Sequence, residues 1–238
     1  MGERERDKKA PANAGRRGTA MPGEARTLRV RLEAEVRRRL ETTPACHDWD
    51  HTHRVRLNAR RLARAEGADA RVVEAAALLH DIGRPQEMED QGRTCHAEWG
   101  AREVPALLRG LGVTDARFIR QVAECVRTHR YRARGGAPAT LEAKVVYDAD
   151  KLDSIGAVGI GRAFHFAGRI GARLHNRAAE AVAAPSYSRE DTAYREYLVK
   201  LRDVHGRLLT PAGRRLAERR HRFMERFFRR LAEETGVA

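Results

Sequence analysis

The chain has no apolar run approaching the ~20 residues that a helix needs to cross a bilayer. Its arginine-rich start also lacks the apolar centre of a secretion signal, so a soluble, cytoplasmic protein is expected. Cysteine is scarce. Cys46, Cys95 and Cys125 are an odd set without Cys-x-x-Cys spacing, which argues against a disulfide framework and a structural zinc knuckle. Aromatic residues make up 5%, too few for a platform that stacks nucleic-acid bases. No stretch alternates with period two in β-branched residues, and no internal repeat is visible, so neither a sheet nor a solenoid is expected.

What is abundant is arginine. The net charge is +14, yet only five of the 47 basic residues are lysine, and the arginines alternate with glutamate along helical stretches such as Glu218-Arg219-Arg220-His221. That pattern is a solvated helix face in an arginine-biased chain rather than a nucleic-acid footprint. The same surface charge draws a small phosphorylated molecule toward a site.

With 238 residues and 42% hydrophobic content, one well-buried domain is expected. Residues 1–24 mix charge with Pro and Gly and hold almost nothing apolar, which predicts a disordered basic tail ahead of a domain over 25–238. Leu28, Leu32, Val36 and Leu40 are four apart on one helical stripe. Val55, Ala59, Leu62 and Ala63 mark a second helix ending at Gly67, and a third runs from about Ala70. Further helices are predicted over 97–108, 118–126, 141–152 and the glycine-rich 156–171, followed by a surface excursion over 174–190 and a C-terminal extension over 190–238. There Thr210-Pro211 caps a helix that turns Leu216, Phe223, Phe227 and Leu231 to the core and stops at Gly236. The fold class is therefore all-α, a single bundle whose helices converge on a polar pocket.

The chemistry centres on His80-Asp81, at the end of the apolar run 72–79 and followed by Ile82-Gly83. A neutral imidazole beside a carboxylate, at a helix end that Gly83 lets unwind, approaches one divalent cation from two directions. His51 upstream and Asp150 downstream extend the pair to a set.

Five motifs occur in order: HDWDHTHRV at 47–55, ALLHDIGRP at 77–85, CHAEWGA at 95–101, RTHRY at 127–131 and DADKLDSIGAVGIGRAFHFAG at 148–168. In that order they resemble the HD-domain metal-dependent phosphohydrolases, in particular a branch of small bacterial and archaeal proteins. The likeness covers a motif core from about Cys46 to Gly171 and continues more loosely to the C-terminal helix. It implies an all-α HD-domain bundle and a metal held by His51, His80, Asp81 and Asp150. Mixed nitrogen and oxygen ligands without thiolate favour Mn, Fe, Co, Ni or Zn over Ca or Mg. Asp148 and Asp153 compete with Asp150, and Asp153 shares its helix face, where it can orient another group. His96 and His129 are candidates for a second ion, or else for contact with phosphate or the attacking water. Arg54 and Lys151 adjoin the metal motifs and are candidates for holding phosphate oxygens. Cys46 and Cys95 are expected beside the ligands rather than among them, and the remaining histidines, with His47 nearest to an exception, are expected to be structural or solvent-facing.

The implied reaction is hydrolysis of a phosphoester or phosphoanhydride by a metal-activated water, with Asp81 and His129 as catalytic residues and a nucleotide as substrate. Two rival readings are a phosphodiesterase acting on RNA and a regulatory protein that binds metal without turnover.

Overall fold

The computed structural model describes residues 22–41, 43, 47–130 and 136–237. The predicted tail, apart from 22–24, lies outside the described residues, as do Cys46 and Tyr131. Eleven α-helices succeed one another among the described residues, with no strand: α1 (Pro22–Leu40), α2 (Trp49–Glu66), α3 (Ala70–Leu79), α4 (Arg84–Glu89), α5 (His96–Gly110), α6 (Ala116–Thr128), α7 (Leu141–Asp153), α8 (Gly156–Arg169), α9 (Ala178–Ala183), α10 (Ala193–Val199) and α11 (Pro211–Thr235). None is long and apolar enough to cross a membrane.

Local chemistry sets these boundaries. The Asp48 carboxylate caps α2 by accepting from the His51 N–H at 3.0 Å, and Gly67 ends the helix in the left-handed region at φ 72°. Asp69 caps α3 and Asp115 caps α6 in the same way. Helix α1 begins three residues ahead of the predicted Ala25, and its stripe of Leu32, Val36 and Leu40 is buried as expected.

Helix α3 is the axis of the bundle. Seven of its ten residues are buried, and it packs against α1, α2, α6 and α7. Full burial of a Val or Leu side chain stabilises by roughly 1.5–3 kcal/mol, so Val72 and Val73 fix the start of α3 and Leu78 and Leu79 its C-terminal end. His80-Asp81 comes directly after that anchored end and is held in place by it.

The glycine-rich stretch is helical, as predicted, but its first glycine has a particular task. Gly156 sits at φ 78°, turning the chain sharply out of α7, and a side chain there would collide with the aliphatic part of Arg220 on α11. The excursion over 174–190 contains the short helix α9 and an isolated turn at Tyr187.

Helix α11 starts and stops as predicted, capped by Thr210 and ended by Gly236 at φ 66°. Its buried face is rotated from the predicted one. Met224 and Phe228 are buried with Leu216, Phe227 and Leu231 pack partly buried against the core, and Phe223 is exposed. The reason lies in the partners: Phe228 stacks on Tyr197 of α10 with ring centroids 4.5 Å apart, and this contact sets the helix rotation.

Candidate metal centre

Two histidines reach the centre by the same local device. His80 is the C-cap of α3 and His129 the C-cap of α6. Each Nδ1–H donates to the carbonyl three residues back, His80 to Ala77 at 2.8 Å and His129 to Val126 at 2.6 Å. A carbonyl only accepts, so the proton is on Nδ1 and Nε2 presents a lone pair to the interior. His51 and His96 are oriented by carboxylates instead. His51 Nδ1 donates to Asp153 at 2.8 Å, and His96 Nδ1 donates to Glu87 at 2.9 Å.

The four inward nitrogens form two facing pairs. His51 Nε2 and His80 Nε2 are 3.2 Å apart, and so are His96 Nε2 and His129 Nε2. With every Nδ1 proton already donated, neither pair has a proton to share in its neutral form. Two lone pairs in contact are stabilised by a cation that both can ligate. Asp81 stands between the pairs, with Oδ2 at 3.6 Å from His51 and 3.5 Å from His80, and Oδ1 at 3.3 Å from His96 and 3.6 Å from His129. Asp150 Oδ1 lies 3.5 Å from His51 Nε2. This donor set fits a divalent transition ion: neutral imidazoles and ionised carboxylates, with no thiolate.

The electrostatics keep the groups in their ligating forms. Burial holds His80 neutral, lowering its pKa to about 3, and burial likewise lowers His96 to about 4 although Glu87 pulls it upward. Burial pushes Asp81 upward, but the Arg84 guanidinium and the surrounding rings outweigh it and hold the carboxyl well below the usual range. Asp150 is likewise pushed up by burial and held well below by Lys151 and the histidines.

Gly83 makes the close approach possible, and not by a left-handed turn, since its φ is −86°. A Cβ at this position would run into the His96 carbonyl, so only glycine lets the turn between α3 and α4 pack on the start of α5.

Six of the predicted residues, His51, His80, Asp81, Asp150, His96 and His129, share one cluster in the interior. Lys151 Nζ donates to Asp150 Oδ2 at 2.6 Å and to the His129 carbonyl at 3.3 Å. Arg54 faces Asp153, donating from Nε at 2.8 Å and Nη2 at 3.1 Å. Asp153 does orient another group, His51, and it also receives Arg162 Nη1 at 2.9 Å. Asp148 points elsewhere and accepts from the Leu209 and Thr210 N–H groups at the start of α11. Cys95 is half-buried and accepts from Arg130 at 3.2 Å.

Three residues at the site, Arg84, Glu87 and Arg162, are not singled out by the sequence, and a fourth, His47, is marked there only as the nearest exception among the remaining histidines. His47 Nδ1 lies 3.0 Å from Asp81 Oδ2, so His47 is part of the centre rather than merely structural. Arg84 Nε donates to Asp81 Oδ1 at 3.0 Å and Arg84 Nη1 to Glu87 at 2.7 Å. Arg162 completes the shell around Asp153. The Asp81, Arg84, Glu87 spacing of three is a readable signal, because residues three apart on a helical turn are neighbours. Nothing local gives Arg162 a role, and for His47 the only signal is its place at the head of the first motif.

The HD domain family matches residues 48–155, which span His51 through Asp153. YpgQ of Bacillus subtilis (strain 168) is 36% identical over 191 residues, covering 79% of this chain and 84% of its own. Its crystal structure in complex with ADP superposes with a TM-score of 0.68 at 31% identity, covering 88% of this chain and 96% of that one. An HD-superfamily hydrolase from Bacillus thuringiensis has a TM-score of 0.69 at 28% identity and covers 90% and 100%. A predicted HD superfamily hydrolase from an uncultured Thermotogales bacterium has a TM-score of 0.62 at 30% identity and covers 86% and 91%. Likeness of that extent in both sequence and fold goes beyond a chance ordering of motifs: the chain belongs to the HD-domain superfamily, a group of metal-dependent hydrolases.

Proposed function

We propose that the protein is a metal-dependent phosphohydrolase that cleaves a phosphoester or phosphoanhydride of a nucleotide. The observation that carries this reading is the facing of His51 Nε2 and His80 Nε2 at 3.2 Å, both rings having donated their protons outward, with Asp81 and Asp150 beside them. His51, His80, Asp81 and Asp150 would hold the ion. A divalent cation supplies Lewis acidity toward water and a phosphoryl oxygen.

The chain's own residues do the rest. Asp81, held strongly ionised, is suited to ligation and to fixing the rings around it more than to taking up a proton at neutral pH. His129 presents a lone pair on Nε2, 3.6 Å from Asp81 Oδ1, and is the better proton acceptor, with its orientation fixed by the Val126 carbonyl. Arg84, Lys151, Arg54 and Arg162 carry four positive charges against the four of Asp81, Asp150, Asp153 and Glu87, so the shell is balanced and a bound divalent ion would make it net positive. A phosphate group approaching it meets a favourable field. Lys151 and Arg84 are the phosphate-holding residues in this reading, and Arg54 acts through Asp153 on His51. A nucleotide is supported by the ADP bound to YpgQ.

Metal analysis of the purified protein, followed by phosphate-release assays across nucleotides with Mn, Fe, Co, Ni and Zn, tests the proposal. The expected result is a bound divalent ion and turnover that chelation abolishes. Turnover unaffected by chelation, or a bound ion with no release from any nucleotide, would sink it.

A further inference from the structure

Beside the metal centre lies a cavity of about 340 Å³, the size of a small-ligand site. His47 joins the two, because it lines the cavity and also touches Asp81. Arg162 lines it too, and Phe166 lies one turn further along the same face of α8. Tyr187 lines the cavity beside Phe166, its ring meeting that of Phe166 edge-on with centroids 5.8 Å apart.

Tyr187 is unusual in two respects. It is 73% exposed, the most exposed of the large apolar and aromatic side chains among the described residues, so it contributes little to the core. Its φ is +63°, a region that bulky residues avoid. The neighbourhood imposes that backbone. The Tyr187 N–H donates to Asp191 Oδ2 at 2.7 Å, and buried Asp191 receives Arg195 Nη1 at 3.1 Å. Arg195 Nε in turn donates to the Ala184 carbonyl at 2.9 Å, closing the turn on itself. An unfavourable backbone held by a built network, presenting an aromatic ring to a cavity rather than to the core, is a device for placing that ring where a ligand needs it.

Resting on the phosphohydrolase reading above, we infer that Tyr187 and Phe166 form the wall against which the base of the nucleotide stacks while its phosphates reach toward His47 and the metal centre. Stacking accepts any base because each offers a π-face. The enzyme therefore takes nucleotides as a class and favours them over phosphorylated molecules that lack an aromatic group.

Equilibrium dialysis with ADP, which needs no turnover, tests the inference. Tyr187→Gly removes the ring and relieves the backbone, so its melting temperature is not lowered while its dissociation constant for ADP rises about tenfold, the scale of one lost stacking contact. Tyr187→Phe keeps the ring and the wild-type affinity. In turnover, the KM of Tyr187→Gly rises about tenfold for nucleoside triphosphates and is unchanged for inorganic tripolyphosphate. Equal ADP affinity in wild type and Tyr187→Gly, absence of ADP binding by the wild type, or an equal loss toward tripolyphosphate would overturn the stacking wall. A wild type that binds ADP through Tyr187 but releases phosphate from no nucleotide would overturn the hydrolase reading alone.

Discussion

The two histidine pairs look alike in their spacing and differ in what surrounds them. His51 and His80 face Asp81 Oδ2 and have a second carboxylate, Asp150, at 3.5 Å. His96 and His129 share only Asp81 Oδ1, and that oxygen already accepts from Arg84 at 3.0 Å. Two imidazoles with two carboxylates suit a divalent cation, whereas two imidazoles with one carboxylate already paired to a guanidinium have much of their need for positive charge met. We propose that Arg84 stands where a second ion would otherwise be called for, so that His51 and His80 serve the metal while His96 and His129 serve proton and phosphate, with Asp81 common to both.

The sharpest way to break this division is to remove one member of each pair. His80→Ala and Asp81→Ala are each expected to lower turnover by about 10³-fold or more with helical circular dichroism retained, and His96→Ala by about 10²-fold. Equal losses in His80→Ala and His96→Ala would make the pairs equivalent. Next in size is Asp153→Asn, which removes the charge behind His51. A weakening of metal affinity by roughly 10–100-fold is expected, read by competition with a chelating dye.

Acid should unsettle both pairs in chelator-treated protein. His80 and His96 titrate near 3 and 4 in the folded chain and near 6.5 when unfolded, so the unfolded state binds more protons between those values. Stability therefore falls as pH drops from 6.5 toward 4, by on the order of a few kcal/mol, measurable by urea unfolding at pH 7 and pH 5. An unchanged midpoint would mean that the rings are not held neutral. The smallest effect is the most discriminating: Arg84→Ala should raise bound metal from about one ion per chain toward two, because Asp81 Oδ1 is then free. Unchanged stoichiometry would separate the two pairs by something other than Arg84.

Much of the fold and the centre is legible in the sequence. Caps at Thr210, Gly67 and Gly236 and the stripes on α1 and α2 come from spacing alone, since they depend on neighbours three and four residues away. Asp153 is readable as an orienting group because it shares a helix face with Asp150. His47 is only half legible, as the nearest exception among the remaining histidines, and Arg162 is not legible, because both meet the centre only after α2, α7 and α8 have packed. Periodicity misplaces Phe223 for a related reason. Its spacing with Phe227 fits a core stripe, yet the rotation of α11 is set by Phe228 against Tyr197, a contact across about thirty residues of chain that periodicity does not register. Gly83 reads in the sequence as the residue that lets the helix end unwind and is a spacer in the fold, since the carbonyl it accommodates belongs to His96.

Asp148 gives the C-terminal helix an unexpected reach. Its carboxylate fastens the first residues of α11 to a point two residues before Asp150, through the Leu209 and Thr210 N–H groups and the Thr210 hydroxyl. Clipping the chain near residue 210 would therefore not merely shorten the molecule. It would strand a buried carboxylate and loosen the strut on which Asp150, a candidate ligand, rides, making the far end of the polypeptide a remote guardian of the centre.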